Sequence, residues 1–262
     1  MRVSRYAAGL EYLGTAYSGW QALKHTSSLQ ATLEAALSQV ADHPVKVTAA
    51  GRTDAGVHAF QQVIHFDTTA QRSDYAWLLG VNSNLPRDLG LRWIQPIAAD
   101  FHARHSARAR SYRYVIHNHR ARSALLLHRA AWWPQPLDAA AMHRAGQCLL
   151  GELDFSAFRD SQCQSKTAMR RITRLEVRRQ HDFVLMDIQA NAFLHHMVRN
   201  IIGTLAQVGL GKQPESWVQA VLNSGDRRQG GATAPPEGLY FIGPQYPAEF
   251  ALPEPPQPWF PG

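Results

Sequence analysis

Residues 50–59, Ala-Gly-Arg-Thr-Asp-Ala-Gly-Val-His-Ala, place a single carboxylate, Asp54, in a short polar segment between two glycines. Apolar and small residues over 45–50 and alternating residues over 60–67 predict a strand on each side. Asp54 is therefore expected in a strand-to-strand loop, where functional residues concentrate. Gly51 and Gly56 suit backbone with positive φ or the close approach of another chain segment.

The Asp54 side chain has two interpretations. Arg52, two residues earlier, would favour the ionised carboxylate, because a nearby cation lowers a carboxyl pKa. An ionised and positioned carboxylate can act as a nucleophile or a base. The structural alternative is an Asx-type turn, in which Asp54 bonds to its own backbone.

The composition is that of a globular protein, and it excludes a disordered chain. Of the 262 residues, 45% are hydrophobic and 18% charged. The net charge is +7, and only four of the 27 basic residues are lysines, so 23 are arginines. Arginine binds phosphate and stacks on bases, which favours a nucleic-acid partner. A GC-rich coding sequence would give the same bias without a functional cause.

The cysteine content predicts a reducing compartment, and the hydropathy pattern predicts that no segment spans a membrane. Cys148 and Cys163 provide neither a disulfide framework nor metal-ligand spacing. No run approaches 18 apolar residues, and residues 1–14 lack the apolar core of a signal peptide. We therefore expect no membrane segment and a cytoplasmic location.

The first half of the chain, residues 1–100, has the element order of a ferredoxin-like unit. A strand is predicted over residues 6–13, followed by a glycine-punctuated loop and a helix that begins with a capping box of Ser27 and Gln30. Further elements follow, and the full order is strand, helix, strand, strand, helix, strand. The predicted later elements are the two strands around Asp54, a short helix at 75–80 and a strand at 91–97.

The second half, residues 101–243, is predicted to repeat that order. Strands are expected at 111–118, 172–179 and 183–190, with helices at 138–150, from 191 to about 209, and at 217–222, and a last strand at 239–242. The tail, residues 244–262, holds seven prolines and is expected to lie extended on the surface. The fold class is α+β: two ferredoxin-like halves sharing a mostly antiparallel central sheet, with helices on its outer face.

A basic segment opens the second half. Residues 101–123 contain six arginines and four histidines but no acidic residue. Tyr112 and Tyr114 lie on one face of the predicted strand, since they are two positions apart. Phosphates held by arginine and an unstacked base held by an aromatic ring are what an RNA groove requires. An ordinary strand, with its tyrosines in the core and its arginines in water, is the alternative.

The long helix carries a further polar group. His195 and Arg199 are four apart and are predicted to share a helical face. Adjacent His195 and His196 suggest a metal site, but no carboxylate or thiol stands at ligand spacing in the sequence, so we predict no metal. A solvent-facing arginine on an amphipathic helix is the simpler interpretation of Arg199.

Four segments together resemble the TruA family of tRNA pseudouridine synthases. The decapeptide 50–59 is similar to the family's catalytic motif. The other segments, in matching order, are Phe101-x-Ala103-Arg104 with Arg110-x-Tyr112-x-Tyr114, then Phe193-x-His195-x-Met197-Val198-Arg199-x-x-x-Gly203, then Ala234-Pro235-x-x-Gly238-Leu239. The resemblance spans residues 6–241.

The resemblance implies the pseudouridine synthase fold and a role for individual residues. Asp54 would be the essential carboxylate, and Tyr112 would stack against the target base. Arg199 would pair with Asp54 and Leu239 would line the base pocket. Tyr114 would be a core residue without a catalytic role.

The implied reaction isomerises uridine to pseudouridine at positions 38, 39 and 40 of the tRNA anticodon stem-loop, without a cofactor. The enzyme breaks the C1′–N1 bond, turns the base and joins C1′ to C5. Asp54 would attack either C1′ or the uracil ring, after the nucleotide leaves its stack. The family acts as a homodimer on one tRNA. The sequence contains neither a phosphate loop nor a dinucleotide fingerprint.

Two other classes of function compete with this interpretation. The first is a non-catalytic RNA-binding protein of the same fold, against which Asp54, Tyr112 and Arg199 argue. The second is a nucleoside or sugar hydrolase, which would release free uracil. Glycosidases normally use two carboxylates, whereas the motif offers one.

Overall fold

The computed structural model describes residues 3–22 and 26–256. Within them the chain divides into two compact units, residues 3–108 with 241–256, and residues 109–240. The first unit thus runs beyond residue 100 and takes in the proline-rich tail up to residue 256. No helix in the described part of the chain combines the length and apolar character needed to cross a bilayer.

The first unit has the predicted ferredoxin-like order. Its elements are β1 (Ser4–Tyr12), α1 (Leu29–Ala41), β2 (Thr48–Ala49), β3 (His58–Thr68), α2 (Asp74–Asn84) and β4 (Leu89–Pro96). Strand β1 pairs with β3 and with β4, and β2 pairs with β3. All three pairings are antiparallel. The strand predicted over 45–50 is therefore only two residues long.

Helix α1 begins one residue later than predicted, because its N-cap is not Ser27. Ser28 is the N-cap, and its Oγ accepts a hydrogen bond from Ala31 N–H at 3.3 Å. The predicted pairing of Ser27 with Gln30 is therefore wrong. Gln30 instead accepts a hydrogen bond through Oε1 from Ala22 N–H at 3.2 Å.

The tail packs on the first unit. Tyr246, Phe250 and Leu252 are partly buried against a core cluster that contains Phe101 and Val63. Tyr246 Oη also donates a hydrogen bond to Ala103 O at 2.6 Å. The expectation of an extended surface tail is therefore wrong for residues 244–252, because their apolar side chains pack on this core. Residues 257–262 of the predicted tail lie outside the described residues.

The elements of the second unit are β5 (Ala109–His117), β6 (Ala131–Trp132), α3 (Ala139–Gly146), β7 (Gly151–Asp154), β8 (Met169–Gln180), β9 (Phe183–Ala190), α4 (Met197–Gly209) and α5 (Trp217–Ser224). Four of its strands lie side by side in the order β5-β9-β8-β7. These neighbours are antiparallel, whereas the short β6 pairs with β5 in parallel. The last strand of the chain is β10 (Leu239–Gln245). The α+β class with mostly antiparallel strands is confirmed.

Two helices of the second unit differ from their predicted bounds. The segment predicted as one helix at 138–150 forms α3, whose N-cap is Asp138. A separate 3-10 turn, Gln147–Leu149, follows α3. Helix α4 starts at Met197 rather than after Asn191. It ends at Gly209, as predicted, and Gly211 follows with φ of +68°. Eleven residues of α4 are buried, so it is the central helix of this unit.

Candidate active site

The Asp54 loop joins β2 to β3 and is tied to β3 at its start. Ala50 N–H donates to Val63 O at 2.8 Å, and the Gln62 side chain donates from Nε2 to Gly51 O at 2.7 Å. A turn then follows, in which Val57 N–H donates to Asp54 O at 3.2 Å and Gly56 has φ of +78°. The turn is closed by main-chain atoms, and Gly56 takes the left-handed conformation that glycine permits.

Gly51 does not meet the expectation placed on it. Its φ lies outside the left-handed region, and a Cβ built on it would meet no atom within 4 Å among the described residues. Close backbone packing in this region occurs instead at Gly14 and Gly19, in the loop after β1. A Cβ on Gly14 would lie 2.0 Å from Val57 O, and one on Gly19 would lie 2.9 Å from Thr53 O.

The residue before Asp54 is held from two sides. Thr53 is buried, with 6% of its surface exposed, and its Oγ1 lies 2.8 Å from Tyr12 Oη, within hydrogen-bond distance. Its carbonyl accepts a hydrogen bond from Trp20 N–H at 2.9 Å. Burial raises the pKa of the Tyr12 hydroxyl, so this hydroxyl is neutral and can donate a proton in the contact. The backbone next to Asp54 is therefore fixed by β1 and by the loop that follows β1.

A further contact attaches the loop after β1 to the downstream end of the motif. Gly14 N–H donates to His58 Nδ1 at 2.9 Å, and His58 is fully buried. The loop predicted from its glycines and aromatic residues is thus the support of the Asp54 loop. Sequence reasoning found this segment but assigned no role to Tyr12, Thr53 or His58. The close spacing of Gly14 and Gly19 is the signal that could have indicated backbone packing there.

Asp54 itself is half-buried, whereas Arg52 is exposed. Arg52 takes part in no ion pair within the described residues. A half-buried carboxylate on a braced turn can react with a ligand at defined geometry, since positioning of the reacting group supplies much of enzymatic rate enhancement. This arrangement favours a reactive role for Asp54 over that of an ordinary loop carboxylate.

In the second unit, the two tyrosines of β5 differ in exposure. Tyr114 is fully buried and donates from Oη to Pro235 O at 2.7 Å, and burial raises the pKa of its hydroxyl. It is a core residue, as predicted. Tyr112 is half-buried, and its ring meets that of Phe193 edge-on with centroids 5.1 Å apart. Tyr112 is therefore the ring of this pair that retains accessible surface.

Arg199 connects two of the sequence motifs within the second unit. It lies in the first turn of α4, is half-buried, and donates from Nε to Ala234 O at 2.7 Å. Ala234 N–H in turn donates to Arg199 O at 3.1 Å. This reciprocal pair fixes the chain just upstream of Leu239, which is buried at the start of β10.

The prediction that His195 and Arg199 share a helical face is wrong. His195 precedes α4, and His196, its N-cap, has a left-handed backbone with φ of +59°. Helix formation is delayed because the Asn191 side chain accepts hydrogen bonds from Arg171 N–H and Ala192 N–H. Asparagine competes with helical hydrogen bonds in this way.

The turn before α4 is also tied to an earlier loop. The two histidine rings stack with centroids 3.9 Å apart. Asp160 reaches both: its Oδ2 is 2.8 Å from His196 Nδ1, and its Oδ1 is 3.4 Å from His195 Nδ1. Asp160 thereby orients both imidazoles before the helix that carries Arg199.

The arginines of the basic segment are not equivalent. Arg113 forms a double hydrogen bond with Asp187 at 2.6 and 2.9 Å, and Arg178 contacts the same carboxylate. Arg110 donates to Asn191 O at 2.9 Å. The exposed members of the segment are Arg104, Arg108, Arg120 and Arg122. Because these four guanidinium groups are exposed, they can bring positive charge to a polyanion.

Comparison with known proteins identifies a family model and relatives that match this chain. The family model described as tRNA pseudouridine synthase matches residues 8–106 and 145–247. The chain is 54% identical over 254 residues to the tRNA pseudouridine synthase A of Cronobacter sakazakii, across 97% of this chain and 94% of that protein. It is 55% identical over 251 residues to the protein of the same name from Pectobacterium atrosepticum, across 96% of this chain and 89% of that protein.

The matched regions contain the Asp54 loop, its supporting loop after β1, and the turn and helix that carry Arg199. They also include the segment from Ala234 to Leu239. The agreement thus extends over both units rather than resting on one short motif. On this evidence the chain belongs to the tRNA pseudouridine synthase family.

Proposed function

We propose that this protein isomerises uridine to pseudouridine in the anticodon stem-loop of tRNA, at positions 38, 39 and 40, and that Asp54 is its essential residue. The observation that carries the proposal is the braced Asp54 loop, in which a half-buried carboxylate follows a threonine held by Tyr12 and Trp20. Relatives that are 54% and 55% identical to this chain are named tRNA pseudouridine synthase A.

The proposed reaction conserves atoms and electrons. The C1′–N1 bond of the target uridine breaks, the uracil turns, and a C1′–C5 bond forms. The proton on C5 is lost to solvent and a proton is gained at N1, so no oxidant or reductant takes part. A single carboxylate fits this rearrangement, because the enzyme keeps the cleaved base bound and rejoins it to the same sugar. Hydrolysis would instead need an activated water.

The remaining residues have supporting roles in this proposal. Arg52 and Arg199 bind the substrate through their positive charge. Tyr112 stacks on the extruded base, since aromatic rings bind unstacked bases. Leu239 lines the base pocket. The protein acts as a homodimer in the cytoplasm and binds tRNA through its exposed arginines.

The decisive experiment measures tritium release from tRNA transcripts labelled at uridine C5. The native protein should release tritium, Asp54→Ala and Asp54→Asn should release none, and Asp74→Asn, which alters an exposed carboxylate at the start of α2, should match the native protein. Transcripts that retain uridine at only one of positions 38, 39 and 40 should each be substrates. Absence of release from any tRNA by the native protein would refute the proposal.

The same samples discriminate between the competing functions. A hydrolase would yield free uracil and an abasic site in place of pseudouridine. A non-catalytic RNA-binding protein would bind tRNA equally well with or without Asp54→Ala but would release no tritium in either form. The enzyme proposal requires that binding survives Asp54→Ala while isomerisation disappears.

A further inference from the structure

Three histidine rings of the first unit form a column that leads from its interior to solvent. His65 on β3 is buried, His102 is half-buried and His105 is exposed. The ring centroids of His65 and His102 are 4.8 Å apart, and those of His102 and His105 are 4.2 Å apart. The rings are tilted against one another by 57° and 42°, and the outermost ring, His105, ends this column of ring contacts at the protein surface.

The loop that presents His105 is held by hydrogen bonds at its start. Arg5, on β1, donates from Nη1 to Phe101 O at 2.9 Å. Ala103 N–H donates to His65 Nδ1 at 3.1 Å, and Ala103 O accepts from the Tyr246 hydroxyl. A ligand that meets such a loop loses little free energy to ordering it.

The turn that carries His105 is closed by hydrogen bonds to His102. Ser106 N–H donates to His102 O at 2.9 Å, and the Ser106 hydroxyl accepts from His102 N–H at 3.0 Å. His102 Nδ1 accepts from the backbone N–H groups of Arg104 and His105, both at 3.2 Å. The His105 ring is thus presented by a turn in which the backbone N–H groups of residues 104, 105 and 106 are all hydrogen-bonded to His102.

The inner rings of the column are neutral. The Nδ1 atoms of His65 and His102 accept hydrogen bonds, which a protonated nitrogen could not do. Burial lowers the pKa of His65 to about 4, and burial together with neighbouring His105 lowers the pKa of His102. Because the two inner imidazoles carry no charge, neither repels the ring next to it electrostatically.

Positive charge flanks the exposed end of the column. Arg104 and Arg108 are both exposed. The acidic side chains of this region are Asp67, which is paired with Arg5 at 2.8 Å, and the exposed Asp100. An exposed ring between two exposed arginines has the chemistry of a single-stranded nucleic-acid site, where the ring stacks a base and the cations hold the flanking phosphates.

We infer that His105 is a stacking site for an unpaired base of the RNA substrate, outside the Asp54 loop, with Arg104 and Arg108 holding the adjacent phosphates. The inference rests on the proposed function, since RNA is the ligand that this function supplies. The ring provides affinity without sequence preference, because every base has an aromatic face.

The test measures the dissociation constant of a tRNA transcript for the full-length protein, by filter binding at fixed salt. His105→Ala should weaken binding about fivefold or more, in the range of one base–aromatic stack. His105→Phe should restore native affinity and His105→Trp should exceed it. Tyr75→Ala removes a ring that is 70% exposed on α2 and serves as the control, with unchanged affinity expected.

The salt dependence separates stacking from charge. His105→Ala should leave the slope of log affinity against log salt unchanged, whereas Arg108→Ala should reduce its magnitude by about one. Thermal midpoints of all variants establish that each protein is folded. Unchanged affinity of folded His105→Ala, or a His105→Phe variant as weak as His105→Ala, would overturn the inference and leave a surface histidine or a protein contact as its role.

The outcome is distinguishable from failure of the proposed function. Tritium release is measured on the same transcripts at saturating RNA. If the native protein isomerises uridine but His105→Ala binds normally, the stacking inference alone fails. If no protein releases tritium while His105→Ala still binds less tightly than His105→Phe, the proposed function fails and the stacking site stands.

Discussion

Tyr12 Oη and Thr53 Oγ1 lie 2.8 Å apart in a buried contact between residues separated by 41 positions in the chain. Tyr12 ends β1, and Thr53 immediately precedes Asp54. This contact connects the end of β1 to the candidate catalytic loop. The stability of the strand and the placement of the carboxylate are therefore coupled.

Removing the Tyr12 hydroxyl should both destabilise the protein and slow its reaction. Tyr12→Phe leaves the Thr53 hydroxyl buried without this partner, which costs about 1–3 kcal/mol in the free energy of unfolding. We expect kcat to fall while the KM for tRNA changes little, since the substitution acts on the Asp54 loop. Denaturant unfolding and steady-state isomerisation measure the two effects.

The matching variant Thr53→Val provides the control for this contact. Tyr12→Phe combined with Thr53→Val removes both polar groups, so the double variant should lose less stability than the sum of the two single losses. Strict additivity of the three measured values would show that the two hydroxyls do not act as a pair.

Glycine at position 19 is expected to be irreplaceable, whereas glycine at position 51 is not. Gly19 has φ of +97°, and an added Cβ would lie 2.9 Å from Thr53 O. Gly19→Ala should therefore lower the free energy of unfolding by about 1–3 kcal/mol. Gly51→Ala should leave it unchanged or raise it by up to about 1 kcal/mol, because a Cβ fits there and the unfolded chain loses freedom. Chemical denaturation of both variants checks the contrast, and equal losses would contradict it.

Stability should fall as the pH is lowered from about 6.5 towards 4. Burial lowers the pKa of His65 to about 4 in the folded protein, from 6.5 when unfolded. Within this window the unfolded state binds the extra proton, so the contribution of His65 is complete above pH 6.5 and is lost progressively below it. The shift corresponds to about 3 kcal/mol at most.

His65→Asn isolates this contribution. The asparagine amide oxygen can take the place of Nδ1 as the acceptor for Ala103 N–H and does not titrate. Denaturation midpoints measured from pH 4 to 8 should depend less on pH in His65→Asn than in the native protein. Identical pH profiles would refute the assignment. His102 and His117, whose pKa values are also lowered mainly by burial, account for the slope that remains.

The buried carboxylate of Asp187 should matter far more than an exposed one. Asp187 lies between Arg113 and Arg178, with 13% of its side chain exposed, and those two guanidinium groups hold the pKa of its carboxyl below the usual range against the opposing effect of burial. Asp187→Ala would leave two cations close together without this counter-charge, at a cost of about 3–5 kcal/mol in the free energy of unfolding.

The control for Asp187 is another acid that pairs with arginine. Glu215, whose side chain is 42% exposed, pairs with the 57% exposed Arg144 at 2.6 Å. Glu215→Ala should cost less than about 1 kcal/mol, as is usual for surface ion pairs. Thermal or denaturant unfolding of both variants gives the comparison, and similar losses would contradict the assigned burial.

The sequence predicted the presence and order of the elements better than their ends. The alternating residues of β3 and β9, and the apolar repeat of α4, were sufficient to place those elements, because a buried face requires a periodic pattern. The start of α4 was wrong because Asn191 hydrogen-bonds to Arg171 on β8. A hydrogen bond to a residue twenty positions earlier cannot be predicted from the hydrophobic periodicity of the helix itself.

The candidate site was predicted in part. Motif resemblance identified Asp54, Tyr112, Arg199 and Leu239, and exposure then distinguished Tyr112 from the buried Tyr114. The contacts that hold the Asp54 loop were not foreseen, since nothing in the sequence marks Tyr12, on the predicted strand 6–13, or His58, within the motif, as a hydrogen-bonding partner. Arg113 was grouped with the basic segment because its partner Asp187 lies on another strand.

The sequence by itself determined the family, the order of its secondary structure and the choice of Asp54 as the proposed reactive carboxylate. These properties are carried by short motifs and by periodic burial, which are local in the chain. Only the tertiary structure decided which groups hold Asp54 in place, where α4 begins and which arginines remain exposed. Each of these depends on hydrogen bonds or ion pairs between segments far apart in sequence, and such pairs exist only after the strands have come together.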